Sequence, residues 1–170
     1  MTTPDGHDCS EPLLLVTGRH FARQGLRGIM PVMQELVADA KREIQLLAFV
    51  MTDSARPLLR AVEHALERGV AATIVVNTIA GQKCDLEPDL LRLARLFHHA
   101  RVFYFADSEG SQLHAKVLIA DREAAVIGSA NYTWGGFVSN HELGMLVRGN
   151  LAWQLSELSD RLAAVSTQRT

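Results

Sequence analysis

Short apolar runs alternate with longer amphipathic segments over the first two thirds of the chain. In the longer segments Leu, Ile, Val and Ala recur at helical spacing, whereas the short runs have the length of buried strands. Polar cap residues and Gly69 mark several of the boundaries between them. The predicted strands cover residues 13–16, 43–50 and 71–76, and the predicted helices cover residues 26–40, 55–68 and 86–99.

The last third of the chain has a different pattern, in which apolar runs follow one another with short polar connections. Residues 120–123 have the length and polarity of a hairpin turn between two of these runs. Helices that alternate with strands, followed by directly connected strands, predict an α/β fold with a mixed central sheet and helices on both faces. The runs cover residues 102–105, 112–119, 124–128 and 142–147, and a last helix is predicted over 151–165.

Length and charge narrow the class of protein further. The chain has 170 residues and is 48% hydrophobic, which predicts a single domain with a core over residues 12–165 and a flexible leader over 1–11. Seventeen Lys and Arg against nineteen Asp and Glu give a formal charge of -2, so bulk charge does not favour nucleic-acid binding. A local cationic site stays open, because phosphate contacts depend on where the cations lie.

The cysteines and the N-terminus bear on the compartment. Cys9 and Cys84 lie far apart, and neither belongs to a CxxC or a Cys/His cluster, so two free thiols are expected. The first residues lack the basic start and apolar core of a signal peptide, and no apolar run approaches the length of a membrane span. These features predict a soluble, cytoplasmic protein.

Two polar pairs interrupt the apolar runs of the last third. In a strand, residues two apart share a face, so His114 and Lys116 are expected to project together. Ser129 and Asn131 are related in the same way at the end of the next strand. Glu142 opens the following strand, and its carboxylate could accept the Nδ1 proton of His114 and leave Nε2 free as a nucleophile. The hairpin would bring these groups to one edge of the sheet.

This set of groups suits attack on a phosphodiester. A neutral imidazole avoids the repulsion that hydroxide meets at an anionic phosphorus centre, while an ammonium and a carboxamide hold the non-bridging oxygens. A single imidazole cannot be the nucleophile and the acid for the leaving oxygen in one step. Because the chain carries one such set, we expect two copies around a two-fold axis, each contributing His114 to a shared site.

The same residues resemble a known signature. His114, Lys116 and Asp121 match the H-x-K-x-x-x-x-D motif of the phospholipase D superfamily, and Gly128-Ser129-x-Asn131 with Glu142 matches its downstream elements. The order of predicted elements from about residue 42 to 165 is similar to one lobe of that fold. With one motif per chain, the sequence resembles the small bacterial endonucleases of the superfamily, which dimerise to complete the site.

The resemblance implies a role for each matching residue. His114 would form a phosphohistidine, and His114 of the partner subunit would protonate the leaving oxygen and later activate water. Lys116 and Asn131 would bind the phosphate with help from Ser129, and Glu142 would orient His114. The mechanism implied by the family needs no metal ion and no cofactor.

The remaining motif positions have other expected roles. Asp121 lies in the predicted turn and is expected to hold the hairpin rather than to act in catalysis, and Gly128 is expected to be structural. Trp134 and the Gly135-Gly136 pair occupy the loop before Glu142, where substrate specificity could be set. Trp134 could stack on a base or pack at a dimer interface.

Three functions are compatible with this site. The first is a metal-independent endonuclease acting on DNA or RNA without much sequence preference. The second is a phospholipid phosphodiesterase or headgroup transferase. The sequence shows no interfacial amphipathic helix or transmembrane anchor, which argues modestly against a lipid substrate. The third is a nucleic-acid-binding subunit of a phage-defence system, in which the dimer would belong to a larger protein complex.

Overall fold

The computed structural model describes residues 11–21, 25–78 and 84–169. Within these residues the strands form one mixed sheet in the order β2-β1-β8-β7-β6-β3-β4-β5-β9. Its strands are β1 (Leu13–Thr17), β2 (Arg27–Gly28), β3 (Glu43–Ala48), β4 (Ala71–Asn77), β5 (Ala100–Phe105), β6 (Val117–Ala120), β7 (Ala124–Gly128), β8 (Glu142–Arg148) and β9 (Thr167–Arg169).

Two kinds of strand pairing meet in the middle of this sheet. Strands β3, β4 and β5 are parallel, as expected when helices connect them. Strands β6, β7 and β8 are antiparallel neighbours, and β6 joins the parallel half by pairing antiparallel with β3. The predicted mixed sheet is therefore confirmed.

Helices cover both faces of the sheet, as the sequence predicts. Three of them pack on one face through apolar side chains that recur at helical spacing, for example Leu58, Val62 and Leu66. The C-terminal helix packs alone on the other face, over a second cluster of buried residues. The helices are α1 (Ile29–Asp39), α2 (Arg56–Glu67), α3 (Glu87–Leu96) and α4 (Asn150–Ala164).

Three predicted boundaries differ from the structure by three residues or more, and each difference has a local cause. The predicted helix over 26–40 begins only at Ile29, because Arg27 and Gly28 pair with β1 as the short strand β2. The predicted helix over 86–99 ends at Leu96, because the next residue is already extended and leads into β5. The predicted strand over 112–119 begins at Val117, and the five residues before it form no strand.

The predictions about the N-terminal leader, the cysteines and membrane spans concern residues that the structure describes only in part. Residues 1–10, with Cys9, lie outside the described residues. Cys84 carries a free, half-buried thiol, and burial raises its pKa. Among the described helices, none combines the length and the apolar character that crossing a membrane requires.

Candidate active site

The predicted site residues gather at one edge of the sheet. Strands β3, β4, β5 and β7 end at this edge, while β6 and β8 begin there, as the strand registers require. His114 and Lys116 precede β6, and Ser129 follows β7. Glu142 is the first residue of β8. We call this the site edge.

His114 and Lys116 are in direct contact. The Nζ atom of Lys116 lies 2.8 Å from Nδ1 of His114 and donates a hydrogen bond to the His114 carbonyl oxygen at 2.7 Å. An ammonium group can only donate, so a ring nitrogen that bonds to it must be unprotonated. In this geometry Nδ1 of His114 is the acceptor for the Lys116 ammonium group. His114 is exposed, whereas Lys116 is buried.

A backbone contact fixes the segment that carries this pair. The side-chain oxygen of Asn77, at the end of β4, accepts the N–H of Leu113 at 2.8 Å. Leu113, Val117 and Ile119 pack in the cluster under α4, with half-buried Ala115 against it. The alternation expected of a strand thus persists although residues 112–116 lie outside the sheet, and it places His114 and Lys116 away from α4.

Phe49 completes the surroundings of the pair and was not identified from the sequence. Its ring lies 4.3 Å from the His114 ring, centroid to centroid, and Nζ of Lys116 lies 5.1 Å from the Phe49 centroid. An aromatic face attracts a nearby cation and limits the imidazole to one side. In the sequence, Phe49 lies within the apolar run of the predicted strand over 43–50, so nothing distinguishes it from a core residue.

Burial and charge act on Lys116 in opposite directions. Burial lowers the pKa of its ammonium group, and the negative charge of Glu142 opposes that shift. The two residues are therefore close enough to interact electrostatically, which joins the two halves of the predicted site.

Glu142 binds different partners from the one that the sequence predicts. Its carboxylate accepts hydrogen bonds from the Ser129 hydroxyl and, at 3.1 Å, from the Asn140 amide. In the described part of the chain no hydrogen bond joins Glu142 to His114 in this conformation, so the role of Glu142 in orienting His114 stays a prediction. The reason is local: Lys116 faces Nδ1 of His114, and each oxygen of Glu142 has its own neutral donor.

Asn131 is held at the same edge by its neighbour in sequence. The N–H of Tyr132 donates to the Val50 carbonyl at 3.2 Å, and the Tyr132 hydroxyl, fully buried, donates to the Val117 carbonyl at 2.9 Å. Asn131 is thereby tied both to the segment after Phe49 and to the start of β6. Its side-chain oxygen is buried and has no hydrogen-bond partner among the described residues.

Two glycines allow close backbone approach beside these groups. A Cβ atom on Gly128 would lie 2.6 Å from the Leu143 carbonyl oxygen, and one on Gly136 would lie 2.1 Å from the Asn131 carbonyl oxygen. Gly136 belongs to a single π-helical turn, Gly135–Ser139, that follows the exposed ring of Trp134. The sequence indicates glycines here, but it does not reveal what they approach.

Asp121 lies at the opposite edge from the other motif residues. Its carboxylate accepts the backbone N–H groups of Lys41, Arg42 and Glu43 at 2.7–3.0 Å. Burial alone would raise the pKa of Asp121, but these hydrogen bonds lower it overall. The residue ties the hairpin between β6 and β7 to the connection between α1 and β3, which is a structural function.

The family that matches is described as "Cardiolipin synthase, PLD-like domain", and the match covers residues 33–164. Among characterised relatives, the DISARM protein DrmC of Bacillus paralicheniformis is 29% identical over 125 residues, which are 73% of this chain and 51% of that protein. The chain thus spans about half the length of this relative.

Solved structures share the fold across nearly the whole chain. NucT from Helicobacter pylori has a TM-score of 0.76 at 15% identity, covering 94% of this chain and 99% of that one. The phospholipase D family member Nuc from Salmonella typhimurium has a TM-score of 0.73 at 20% identity, with the same coverage. The chain belongs to the phospholipase D superfamily, whose members are phosphodiesterases, as the motif of His114, Lys116 and Asp121 indicates.

Proposed function

We propose that this protein is a metal-independent phosphodiesterase of nuclease type, which cleaves DNA or RNA through a phosphohistidine at a site shared by two copies of the chain. The observation that carries the proposal is the exposed imidazole of His114 with the Lys116 ammonium 2.8 Å from its Nδ1 atom. A neutral nucleophile beside a fixed cation is what attack on an anionic phosphodiester requires.

In the first step, the Lys116 ammonium group moves from Nδ1 of His114 to a non-bridging oxygen, the ring nitrogen that it frees attacks the phosphorus atom, and the bond to the leaving oxygen breaks. His114 of the partner subunit gives its proton to that oxygen. Lys116 and the side-chain N–H groups of Asn131 hold the non-bridging oxygens.

In the second step, the imidazole that lost its proton takes one from water. The resulting hydroxide attacks phosphorus, the phosphorus–nitrogen bond breaks, and His114 is released as a neutral imidazole. The pair of imidazoles thus returns to its starting protonation, with one bond hydrolysed and no oxidant or cofactor consumed.

Ser129 and Glu142 support the site without touching His114 in this conformation. The Ser129 hydroxyl bonds to Glu142, and the Leu143 N–H bonds to the same hydroxyl at 3.2 Å. We assign Ser129 an assisting contact to phosphate, and Glu142 the balance of charge opposite Lys116.

The nuclease proposal rests on the resemblance to the small single-motif endonucleases and on a chain that carries one such motif. A second candidate, a phospholipid phosphodiesterase or headgroup transferase, is favoured by the description of the matching family as a cardiolipin synthase domain. Both candidates use the same chemistry and differ in the alcohol on the phosphate.

The test is cleavage of plasmid, single-stranded DNA and RNA in excess EDTA. We expect cleavage by the wild type, loss of at least about a thousandfold in His114→Ala, and wild-type rates in His98→Ala. His98 is an exposed histidine beside the start of β5, at the far edge, and is the matched control.

Other results would contradict the proposal. Cleavage that needs added Mg²⁺, or that survives in His114→Ala, would exclude this mechanism. Release of headgroup from phosphatidylcholine vesicles with nucleic acids intact would favour the lipid candidate. Salt-dependent binding of nucleic acid without cleavage would indicate a binding subunit.

A further inference from the structure

A cleft lies at the site edge, on the face of the sheet that carries α1 and toward which His114 and Lys116 project. It forms where the end of β1, the start of α1 and the π-helical turn meet. Its volume is about 370 Å³, which is within the range of small-molecule sites. We call it the β1 cleft, and the lining residues that matter below are Thr17, Arg19, Met30, Pro31, Phe137 and Val138.

The β1 cleft shares two walls with the candidate active site. On one side, Thr17 lies opposite Glu142 in the register of β1 and β8. On the other side, Phe137 follows Gly136, which packs against the backbone of Asn131. A substrate with its phosphate at the site can therefore continue into the cleft.

The β1 cleft is too far from Lys116 for a small alcohol group to reach it. In the sheet, β8 and β7 lie between β1 and β6, the strand that Lys116 precedes. Three strand spacings of about 4.8 Å place the cleft about 14 Å from Lys116. A stacked nucleic-acid strand advances about 3.4 Å per nucleotide, so about four nucleotides cover this distance.

A fixed cation lies at the rim of the β1 cleft. Arg19 is exposed and forms no ion pair within the described residues. The turn that carries it is held against the segment before β8, because a hydrogen bond of 2.6 Å joins Nδ1 of His20 and Nε2 of His141. Gly18, with a φ of +110°, approaches the same segment so closely that a Cβ atom would lie 2.7 Å from the Asn140 carbonyl oxygen. These contacts keep the charge of Arg19 beside the cleft.

The opposite flank of the candidate site carries the opposite charge. Residues 106–112, between β5 and the segment of His114, contain Asp107 and Glu109 but no Lys or Arg. The N–H of Glu109 donates to the Asp107 carboxylate at 3.1 Å and lowers its pKa, so Asp107 is ionised at neutral pH. A polyanion with one phosphate at His114 is therefore repelled on the β5 side and attracted on the β1 side.

Apolar walls with a cation at the rim suit a single-stranded polynucleotide. Bases pack on aromatic and apolar side chains such as Phe137 whatever their sequence, and arginine pairs with the backbone phosphates. A phospholipid with one phosphate, held by Lys116 and Asn131, would leave Arg19 without an anion. A duplex keeps its bases paired and stacked, so it cannot place one in the cleft without unpairing it.

We propose that the β1 cleft is a subsite for single-stranded nucleic acid, in which a base packs against Phe137 and a backbone phosphate pairs with Arg19. The inference deepens the proposed function and rests on it, because it names the form of nucleic acid that the site takes. The base in the cleft lies about four nucleotides from the scissile phosphate.

The first test is binding of a fluorescent single-stranded oligonucleotide of about 12 nucleotides to the His114→Ala protein in EDTA. We expect Arg19→Gln or Val138→Asp, added to this protein, to weaken binding at least about tenfold. Arg19→Gln should also lower the slope of log Kd against log salt by about 0.7, the value for one lost phosphate contact on a single strand. The matched control is Arg95→Gln, since Arg95 is exposed in the last turn of α3, away from the site edge. Far-ultraviolet circular dichroism confirms that each variant is folded.

The second test compares two substrates of the protein that retains His114. Bis(p-nitrophenyl) phosphate is a diester too short to reach the cleft, whereas the oligonucleotide fills it. We expect Arg19→Gln and Val138→Asp to lower kcat/KM for the oligonucleotide at least about tenfold more than kcat/KM for the small diester.

The outcomes separate this proposal from the proposed function. Equal losses on both substrates, undiminished oligonucleotide binding by the folded variants, or equal affinity for a duplex of the same length would overturn the subsite. Variants that bind oligonucleotide normally but lose phosphatidylcholine hydrolysis would also overturn it, because the cleft would then hold an acyl chain. Binding of single strands that depends on Arg19 and Val138, in a protein whose wild type cleaves no nucleic acid, would support the subsite and contradict the proposed function alone.

Discussion

Replacing Asp121 by asparagine separates a structural role from a catalytic one at the last position of the motif. Asp121 follows β6, five residues after Lys116, so at about 3.3 Å per residue it lies about 16 Å from the candidate phosphate site. Its carboxylate contacts backbone N–H groups at 2.7–3.0 Å and none of the site residues. We expect Asp121→Asn to lower stability and to leave the chemistry intact.

The size of the loss follows from the three hydrogen bonds. Asparagine keeps one oxygen, which can still accept from Arg42 and Glu43, but it turns an amide N–H₂ toward the N–H of Lys41. A hydrogen bond to a charged group contributes about 1.5–3 kcal/mol. We therefore expect the free energy of unfolding to fall by about 2–3 kcal/mol, and Tm by about 4–12 °C for a chain of this length.

The difference in the free energy of unfolding between wild type and Asp121→Asn depends on pH in a defined direction. The pKa of Asp121 is lowered in the folded protein, so its contribution is fully present above the pKa of the unfolded chain, near 3.9. The contribution is lost as pH falls through the folded pKa, because the protonated acid no longer accepts as a charged group. Asparagine does not titrate, so the gap between the two proteins should close below about pH 4.

The assay is urea unfolding at pH 7 and at low pH, together with the cleavage rate at a temperature where both proteins are folded. We expect a cleavage rate within about threefold of wild type. A variant that keeps wild-type stability but loses a hundredfold or more in rate would show that Asp121 takes part in the reaction, and the structural account would be wrong.

Three other substitutions probe the supports of the site. Tyr132→Phe removes a buried hydrogen bond to β6 and should cost about 1–3 kcal/mol in urea unfolding, and an unchanged midpoint would contradict the anchor. Gly136→Ala forces a Cβ against the backbone of Asn131 and should lower kcat/KM at least about tenfold. The control Gly135→Ala places its Cβ against a movable side chain only, so its kcat/KM should stay unchanged. Equal effects of the two substitutions would refute the close approach of Gly136 to Asn131. Phe49→Leu keeps the apolar volume but removes the aromatic face beside His114 and Lys116. We expect kcat to fall about tenfold and the free energy of unfolding to stay within about 1 kcal/mol of wild type. An unchanged kcat would show that the ring has no part in the reaction.

Elements with strong periodicity could be predicted from the sequence, and weakly patterned ones could not. The strand that starts at Glu43 and the helix that contains Leu58 and Leu66 were found because burial imposes a regular spacing. Strand β9 was missed because its three residues are polar and exposed. The segment before Val117 was assigned to a strand because it alternates, although Leu113 bonds to a side chain and not to a neighbouring strand.

The types of residue in the motif were enough to locate the site in the sequence. The contacts between their side chains depend on the three-dimensional fold, which the spacing of residues along the chain does not determine. The contact of His114 with Lys116 follows from their separation by two residues. The partner of Glu142 depends on which donors lie near its oxygens, and Ser129 lies nearer than His114. Phe49 meets His114 only because β3 and β6 are neighbours in the sheet, which no local pattern reveals.

The most direct test of the central claim measures activity in mixed dimers of wild type and His114→Ala, exchanged by co-refolding at varied ratios. If each site needs His114 from both subunits, activity follows the square of the wild-type fraction and falls to roughly a quarter in an equal mixture. A linear decline, to about half in an equal mixture, would mean that each chain works alone and would contradict the shared site.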